Sequence, residues 1–145
     1  MDIKLKKLTD TAIIPIRGTS SSAGYDLCAD TGSAIEIKSG ETTMIGTGIS
    51  MAIPEGYYGG VYARSGLSSK EGLRPANCTG VIDSDYRGEI KVPIHNDSKE
   101  TRTIKSGQKI AQIIISPYLE VSFSEVDELD DTTRGNEGFG STGKY

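Results

Sequence analysis

A chain of 145 residues has the length of one ordinary domain and can bury a single sizeable core. Its 16 Lys plus Arg stand against 20 Asp plus Glu, a net charge of -4, which argues against a surface built to coat duplex nucleic acid; a small anionic ligand is possible where positive charge is concentrated locally. With 18 glycines, no Trp and few long helical periods, the composition points to an all-β domain of short strands and tight turns.

The opening residues, Met1 to Leu8, are charged and lack the apolar core of a signal peptide, and no window approaches membrane length, so the expectation is a soluble, cytoplasmic protein with no membrane partner. Cys28, Cys78 and the single His95 form no metal-ligand pattern, and both thiols are expected to be reduced. Ala12 to Ile16 reads as a first strand, with Pro15 marking an edge or an end. Arg17-Gly18-Thr19-Ser20-Ser21-Ser22 follows as a loop. Ala23 to Ala29 alternates, placing Tyr25, Leu27 and Ala29 on one face and Gly24, Asp26 and Cys28 on the other. Acidic residues are depleted in strands, so Asp26 either faces solvent or faces something cationic.

Ala34 to Ile37 predicts a short strand, and Thr42 to Ile53 a longer extended run interrupted by Gly46 and Gly48. Pro54-Glu55-Gly56 predicts a type I or II turn with Pro at its first central position. Tyr57 to Tyr62 resumes the strand, with Gly59-Gly60 permitting a bulge or a close backbone approach. Ser65 to Gly72 reads as one short helix closed by glycine. Its first amides, with Arg64 beside them, suit either an ordinary helix end or a phosphate.

Val81-Ile82, then Ile90, Val92 and Ile94 at period two, predict a β-hairpin whose turn carries Asp83-Ser84-Asp85 and then Tyr86. Residues 95–100 read as a polar loop and Thr101 to Ile104 as a strand. Lys109 to Ile115 is a strongly apolar strand interrupted by Gln112, whose amide either bonds neighbouring backbone or points at a ligand. These strands predict one β domain over residues 1–125. Residues 126–145 are acidic and then Gly-rich, and predict a mobile arm with Arg134, Phe139, Gly140, Ser141 and Thr142 available to close over a ligand.

Five stretches carry a resemblance that covers nearly the whole chain: Ala23-Gly24-Tyr25-Asp26-Leu27, Arg64-Ser65-Gly66-Leu67, Gly80-Val81-Ile82-Asp83-Ser84-Asp85-Tyr86-Arg87-Gly88, Gly107-Gln108-Lys109-Ile110-Ala111-Gln112, and Arg134-Gly135 through Gly138-Phe139-Gly140-Ser141-Thr142-Gly143. In this order they resemble the trimeric deoxyuridine triphosphatase (dUTPase) family. The fourth stretch departs mildly, with Gln108 where the family usually has an acidic residue and Lys109 where it usually has Arg.

The resemblance implies a jelly-roll-like subunit and a homotrimer in which each C-terminal arm reaches a neighbour's site. The implied reaction is Mg2+-dependent hydrolysis of dUTP to dUMP and pyrophosphate. By matching position Asp83 would be the base acting on the attacking water. Tyr86 would pack on the deoxyribose, and Asn77, Gly80, Val81, Ile82 and Lys91 would read uracil. Arg64, Ser65, Gly66, Gln112, Arg134, Ser141 and Thr142 would meet the phosphates, with Phe139 and Gly140 covering the base and Asp26 holding the metal through water. The same fold could instead host a dCTP deaminase, and an intact but silent site could serve a regulatory binding module.

Overall fold

The computed structural model describes residues 1–138. Among these residues there are twelve strands and one helix. The strands are β1 (Lys4–Lys7), β2 (Ile16–Arg17), β3 (Tyr25–Cys28), β4 (Ile35–Ile37), β5 (Thr42–Gly46), β6 (Ile49–Ala52), β7 (Tyr57–Tyr62), β8 (Leu73–Pro75), β9 (Thr79–Ile82), β10 (Lys91–Asn96), β11 (Arg102–Ile104) and β12 (Lys109–Pro117), and helix α1 spans Ser65–Glu71. This is the all-β class expected from the glycine content and turn spacing.

Five strands pair antiparallel in the spatial order β2-β3-β12-β7-β9, and three more in the order β5-β10-β8. The ladders β1-β6 and β4-β11 complete the shell. The last strand, β12, inserts between β3 and β7, so the ends of the chain's order are interleaved in space, as a jelly-roll wrap requires. Both larger sheets face one core in which Leu27, Val61 and Ile113 of the first meet Ile45, Leu73 and Ile94 of the second.

Strand β10 keeps the predicted period of two: Val92, Ile94 and Asn96 are buried, while Lys91, Pro93 and His95 are more exposed. Its buried amide is fully satisfied. Asn96 Nδ2 donates to the carbonyls of Ile37 and Glu100, both at 2.8 Å, and its Oδ1 accepts from Ser98 N and Oγ at 2.9 and 2.7 Å. The polar residue that reads as loop is thus the pin between β10 and the β4-β11 ladder.

Four sequence expectations are corrected. The first predicted strand shrinks to Ile16 and Arg17, because residues 9–12 are held in a turn: Thr9 and Thr11 donate to the Asp30 carboxylate, and Ala12 N donates to Thr9 Oγ1 at 3.0 Å. The Lys-rich residues 4–7 form a strand, because Leu5 packs on the core and β6 supplies the backbone partners. The turn after β6 places Pro54 at its first corner, with Tyr57 N donating to Pro54 O at 3.2 Å and Gly56 at φ 81°, the positive value a type II turn demands at its third residue.

The fourth correction is the predicted hairpin. Strand β9 pairs with β7, whereas β10 pairs with β5 and β8, so the two strands flanking Asp83 belong to different sheets. Residues 83–90 are a connection between sheets, longer than a tight hairpin turn. Tyr86 N donates to Asp83 O at 3.2 Å, so a local turn survives at its start.

Candidate active site

The sequence-predicted residues gather in two places. In the five-stranded sheet, Ile16, Asp26, Gln112, Tyr62 and Thr79 stand opposite one another in a single row across β2, β3, β12, β7 and β9. Directly opposed residues share a face, so Gln112 lies beside Asp26. Chain continuing from β7 delivers Arg64, whose backbone caps α1, and then Ser65 and Gly66.

Arg64 Nε donates to Asp26 Oδ1 at 2.8 Å, and Lys109 Nζ lies 2.7 Å from Asp26 Oδ2. The Asp26 side chain is 11% exposed, against 35% for Arg64 and 43% for Lys109, so one nearly buried carboxylate serves two half-open cations. Of the two alternatives for Asp26, the structure selects the cationic one. Gln112 Nε2 donates to Ala63 O at 2.9 Å, fixing the amide just ahead of Arg64. Its Oε1 occupies the space a side chain on residue 24 would need, which is why Gly24 precedes β3.

Gly18, Ser22, Gly24, Asp26, Arg64, Ser65, Gly66 and Gln112 enclose a cavity of about 240 Å³. Arg64 and Asp26 in this wall, with Lys109 contacting Asp26 from outside the lining, form a trio of net positive charge, which suits an anionic guest. The neighbouring Cys28 thiol is pushed above its ordinary pKa, chiefly by burial and then by the Asp26 charge, against the opposing pull of Lys109 and Arg64. Both Asp26 oxygens face cations, and among the described residues no group of three His, Cys, Asp or Glu is arranged to hold an ion directly, so any contact of Asp26 with a metal would run through water.

The second place is the end of β9. Tyr58, Thr79, Val81, Asp83, Ser84, Asp85 and Tyr118 line a cavity of about 600 Å³. Strand β9 is the outer strand of its sheet, so its outward backbone groups are unpaired within the ladder and can meet the edge of a flat ring. Asn77 lies against Gly80, its Nδ2 being 3.3 Å from where a Cβ there would stand.

Beyond Asp83 the connection is braced by its own residues. Arg87 Nη1 donates to Ser84 O at 2.6 Å and to Tyr86 O at 2.9 Å. Tyr86 Oη donates to Glu89 O at 2.9 Å, and the ring lies over Gly88, where any side chain would collide with it. Lys91 stands on β10 with Nζ 3.4 Å from Glu89 Oε2, away from the Asp83 cavity lining. Arg134 Nε donates to Glu137 O at 2.9 Å in a local turn of the exposed C-terminal segment. Phe139, Gly140, Ser141 and Thr142 lie outside the described residues.

The two cavities share no lining residue. From Asp26 to Thr79 the row crosses three strand spacings, and Asp83 lies four residues further along, which puts Asp26 and Asp83 on the order of 20 Å apart. The Arg64 cavity and Asp83 therefore stand well apart on the same chain.

Known proteins give this geometry its context. The dUTPase family profile matches residues 10–143. The chain belongs to the dUTPase family. It is 47% identical to the deoxyuridine 5'-triphosphate nucleotidohydrolase of Nautilia profundicola, over 99% of this chain and 100% of that protein. It is 49% identical to the protein of the same name from Finegoldia magna, over 90% of this chain and 91% of that one. Among solved structures, a mutant dUTPase of Staphylococcus bacteriophage 80alpha with dUpNHpp superposes with a TM-score of 0.85 at 30% identity, covering 98% of both chains. A mutant dUTPase from phage phi11 of S. aureus, described with a structural Mg(II) ion, superposes at 0.81 with 27% identity, over 90% of this chain and 100% of that one.

Several residues lining these two cavities escape a reading of the sequence. Tyr58 and Tyr118 wall the Asp83 cavity, and Gly18 and Ser22 wall the other. Tyr118 carries no motif signal; it is placed by its backbone, whose N–H donates to Gly56 O at 3.1 Å. Ser22 is held by its own loop, with Thr19 N donating to Ser22 Oγ at 3.1 Å, a pattern the run of Thr and Ser could have suggested. Lys109 is hidden for a different reason. Strict alternation assigns it to the face of Ala111 and Ile113, opposite Gln112.

Proposed function

We propose that the chain hydrolyses dUTP to dUMP and pyrophosphate at sites completed between copies of the chain in a homotrimer. The observation that carries this reading is the separation of Asp83 from the Arg64 cavity within one chain. A second copy that sets its Asp83 against the first copy's cation-lined wall closes the gap without distorting either sheet.

In that arrangement the free edge of β9, around Gly80, Val81 and Ile82, meets the pairing edge of uracil with Asn77 beside it. A site whose polar groups are satisfied only by uracil rejects cytosine and purines by leaving those groups unpaired. Tyr86, locked over Gly88, packs against the deoxyribose and leaves no room for a 2'-hydroxyl. Arg64, Ser65, Gly66 and Gln112 hold phosphate oxygens. Arg134, Phe139, Gly140, Ser141 and Thr142 close over the bound nucleotide from the arm spanning residues 126–145, the domain proper being residues 1–125. Lys91, whose Nζ lies 3.4 Å from Glu89 Oε2, joins Asn77, Gly80, Val81 and Ile82 in reading uracil.

Products dUMP and pyrophosphate require cleavage between the α- and β-phosphates. Asp83 takes the proton of the attacking water, and the fixed cations neutralise charge that builds on the phosphates, the main source of catalysis in phosphoryl transfer. Mg2+ would travel with the triphosphate on phosphate oxygens and water, adding to that neutralisation. The cellular consequence is less uracil available for DNA and a supply of dUMP, in the cytoplasm. Among the described residues no helix is long and apolar enough to cross a membrane.

A dCTP deaminase or a silent binding module of the same fold is disfavoured by the relatives, which are named as dUTP nucleotidohydrolases. The decisive assay measures pyrophosphate and ammonia release from dUTP, dCTP, dTTP, dATP and dGTP. Pyrophosphate from dUTP alone is expected. Ammonia from dCTP, or tight dUTP binding without turnover, would replace this reading.

A further inference from the structure

The Lys109–Asp26 pair has no part in the roles assigned above, yet the fold goes out of its way to make it. In a regular antiparallel ladder the register Gln112 opposite Asp26 and Ala111 opposite Leu27 would continue with Ile110 opposite Cys28. The register instead slips by one residue between Lys109 and Ala111, and Lys109 stands opposite Cys28. Cys28 and Asp26 are two apart and share a face. The bulge therefore turns a lysine, in place of an isoleucine, toward Asp26. Ile110 is fully buried instead.

We propose that Lys109 is a positioning residue for the triphosphate, holding one oxygen of Asp26 so that Arg64, held by the other, presents its two terminal nitrogens and an uncancelled positive charge to the cavity. This rests on the dUTP reading above. Arg64 uses only Nε on Asp26, and among the described residues its Nη1 and Nη2 have no hydrogen-bond partner. Nε engagement leaves the bidentate edge of the guanidinium pointing away from the carboxylate, the geometry that suits a phosphate.

Charge counting gives the reason for a second cation. Arg64 with Asp26 alone is a neutral pair that attracts an anion weakly at a distance. Adding Lys109 makes the trio net +1, on a carboxylate only 11% exposed and poorly screened by solvent. The same geometry makes Asp26 an anchor for both cations.

Equilibrium binding of a non-hydrolysable α,β-imido dUTP to the full chain separates these roles, measured for wild type, Lys109→Gln, Lys109→Arg and Asp26→Asn, in EDTA and in Mg2+, at two salt concentrations. Lys109→Gln is expected to weaken binding about five- to tenfold with a shallower salt dependence, and Lys109→Arg to restore both. Asp26→Asn is expected to weaken binding in EDTA as much as in Mg2+, because the loss is of Arg64 geometry.

Wild-type affinity for folded Lys109→Gln, or failure of Lys109→Arg to rescue, overturns the assignment. An Asp26→Asn effect confined to Mg2+ does the same and returns Asp26 to the metal. Circular dichroism of each variant verifies the fold, and the salt slope of Lys109→Arg remains diagnostic if Lys109→Gln unfolds. If wild type binds the analogue yet releases no pyrophosphate from dUTP, the hydrolase reading fails while the Lys109 comparison still stands or falls on the affinities.

Discussion

The Asp26 cavity and the Asp83 cavity are made of different kinds of structure. Around Asp26 the register of β3, β12 and β7 sets the carboxylate and the amide: the carboxylate is nearly buried, both its oxygens are engaged, and Gln112 is tied to Ala63. Around Asp83 the groups sit on a connection between sheets, braced by Arg87 and Tyr86 contacts to nearby carbonyls, with Asp83 itself exposed. The difference teaches that charge is preorganised within one chain, where in the proposed reaction it would cost no reorganisation. In the function proposed above, the groups that would read the base and move the proton lie on exposed surfaces around Asp83 that would gain their partners by assembly.

The sharpest way to break this contrast is at Asp83. Asp83→Asn is expected to keep binding of the dUTP analogue and to lose at least about 10²-fold in turnover, the scale for removing a general base, as read by single-turnover pyrophosphate release. An unchanged rate would assign the base elsewhere. Co-folding Asp83→Asn chains with Arg64→Ala chains is then expected to recover part of the lost activity, because the proposed trimers would contain hybrid sites with both residues intact. Mixtures no more active than either parent would mean that one chain supplies both groups and that the two cavities act separately.

A smaller effect tests the rigidity of the phosphate side. Gly24→Ala places a methyl group where Gln112 Oε1 lies, so either the strand shifts or the amide leaves Ala63. The expected result is a loss of about 1–3 kcal/mol in unfolding free energy from overpacking, with weaker analogue binding. Unchanged melting and affinity would show that this cavity adapts as a loop does.

The smallest effect comes from a region outside both cavities. Thr9 and Thr11 donate to Asp30 and hold its carboxyl below the ordinary pKa, against a small opposing cost of burial. A depressed folded-state pKa contributes stability that is complete above the unfolded value, near ~3.9, and is lost as pH falls through the folded value. The difference in unfolding free energy between wild type and Asp30→Ala should therefore be constant above about pH 5 and shrink at lower pH. Analogue affinity at neutral pH should not change, which separates a fold clip from a site residue.

How far each region can be read from sequence follows the same division. The β class, α1 with its Gly72 stop at φ 70°, the period-two burial of β10 and the candidates Asp26, Arg64, Asp83 and Gln112 all rest on local signals: glycine placement, alternation, and polar residues interrupting apolar runs. The predicted hairpin failed because alternation reports which face a strand buries and is silent about its partner. Strands β1 and β8 were missed because four and three residues give too short a pattern, and their partners β6 and β10 define them.

The sequence by itself determined the strand class, the α1 stop at Gly72, the buried face of β10 and the chemical types available, since these depend on neighbours along the chain. Tertiary structure alone decided that β9 and β10 part into different sheets, and that Asp26 and Asp83 lie far apart in one chain. It also decided that Lys109 stands beside Asp26, through a single extra residue in β12. The physical reason is that strand pairing and register are set by contacts between residues distant in sequence, and a slip of one position exchanges the faces of every side chain beyond it.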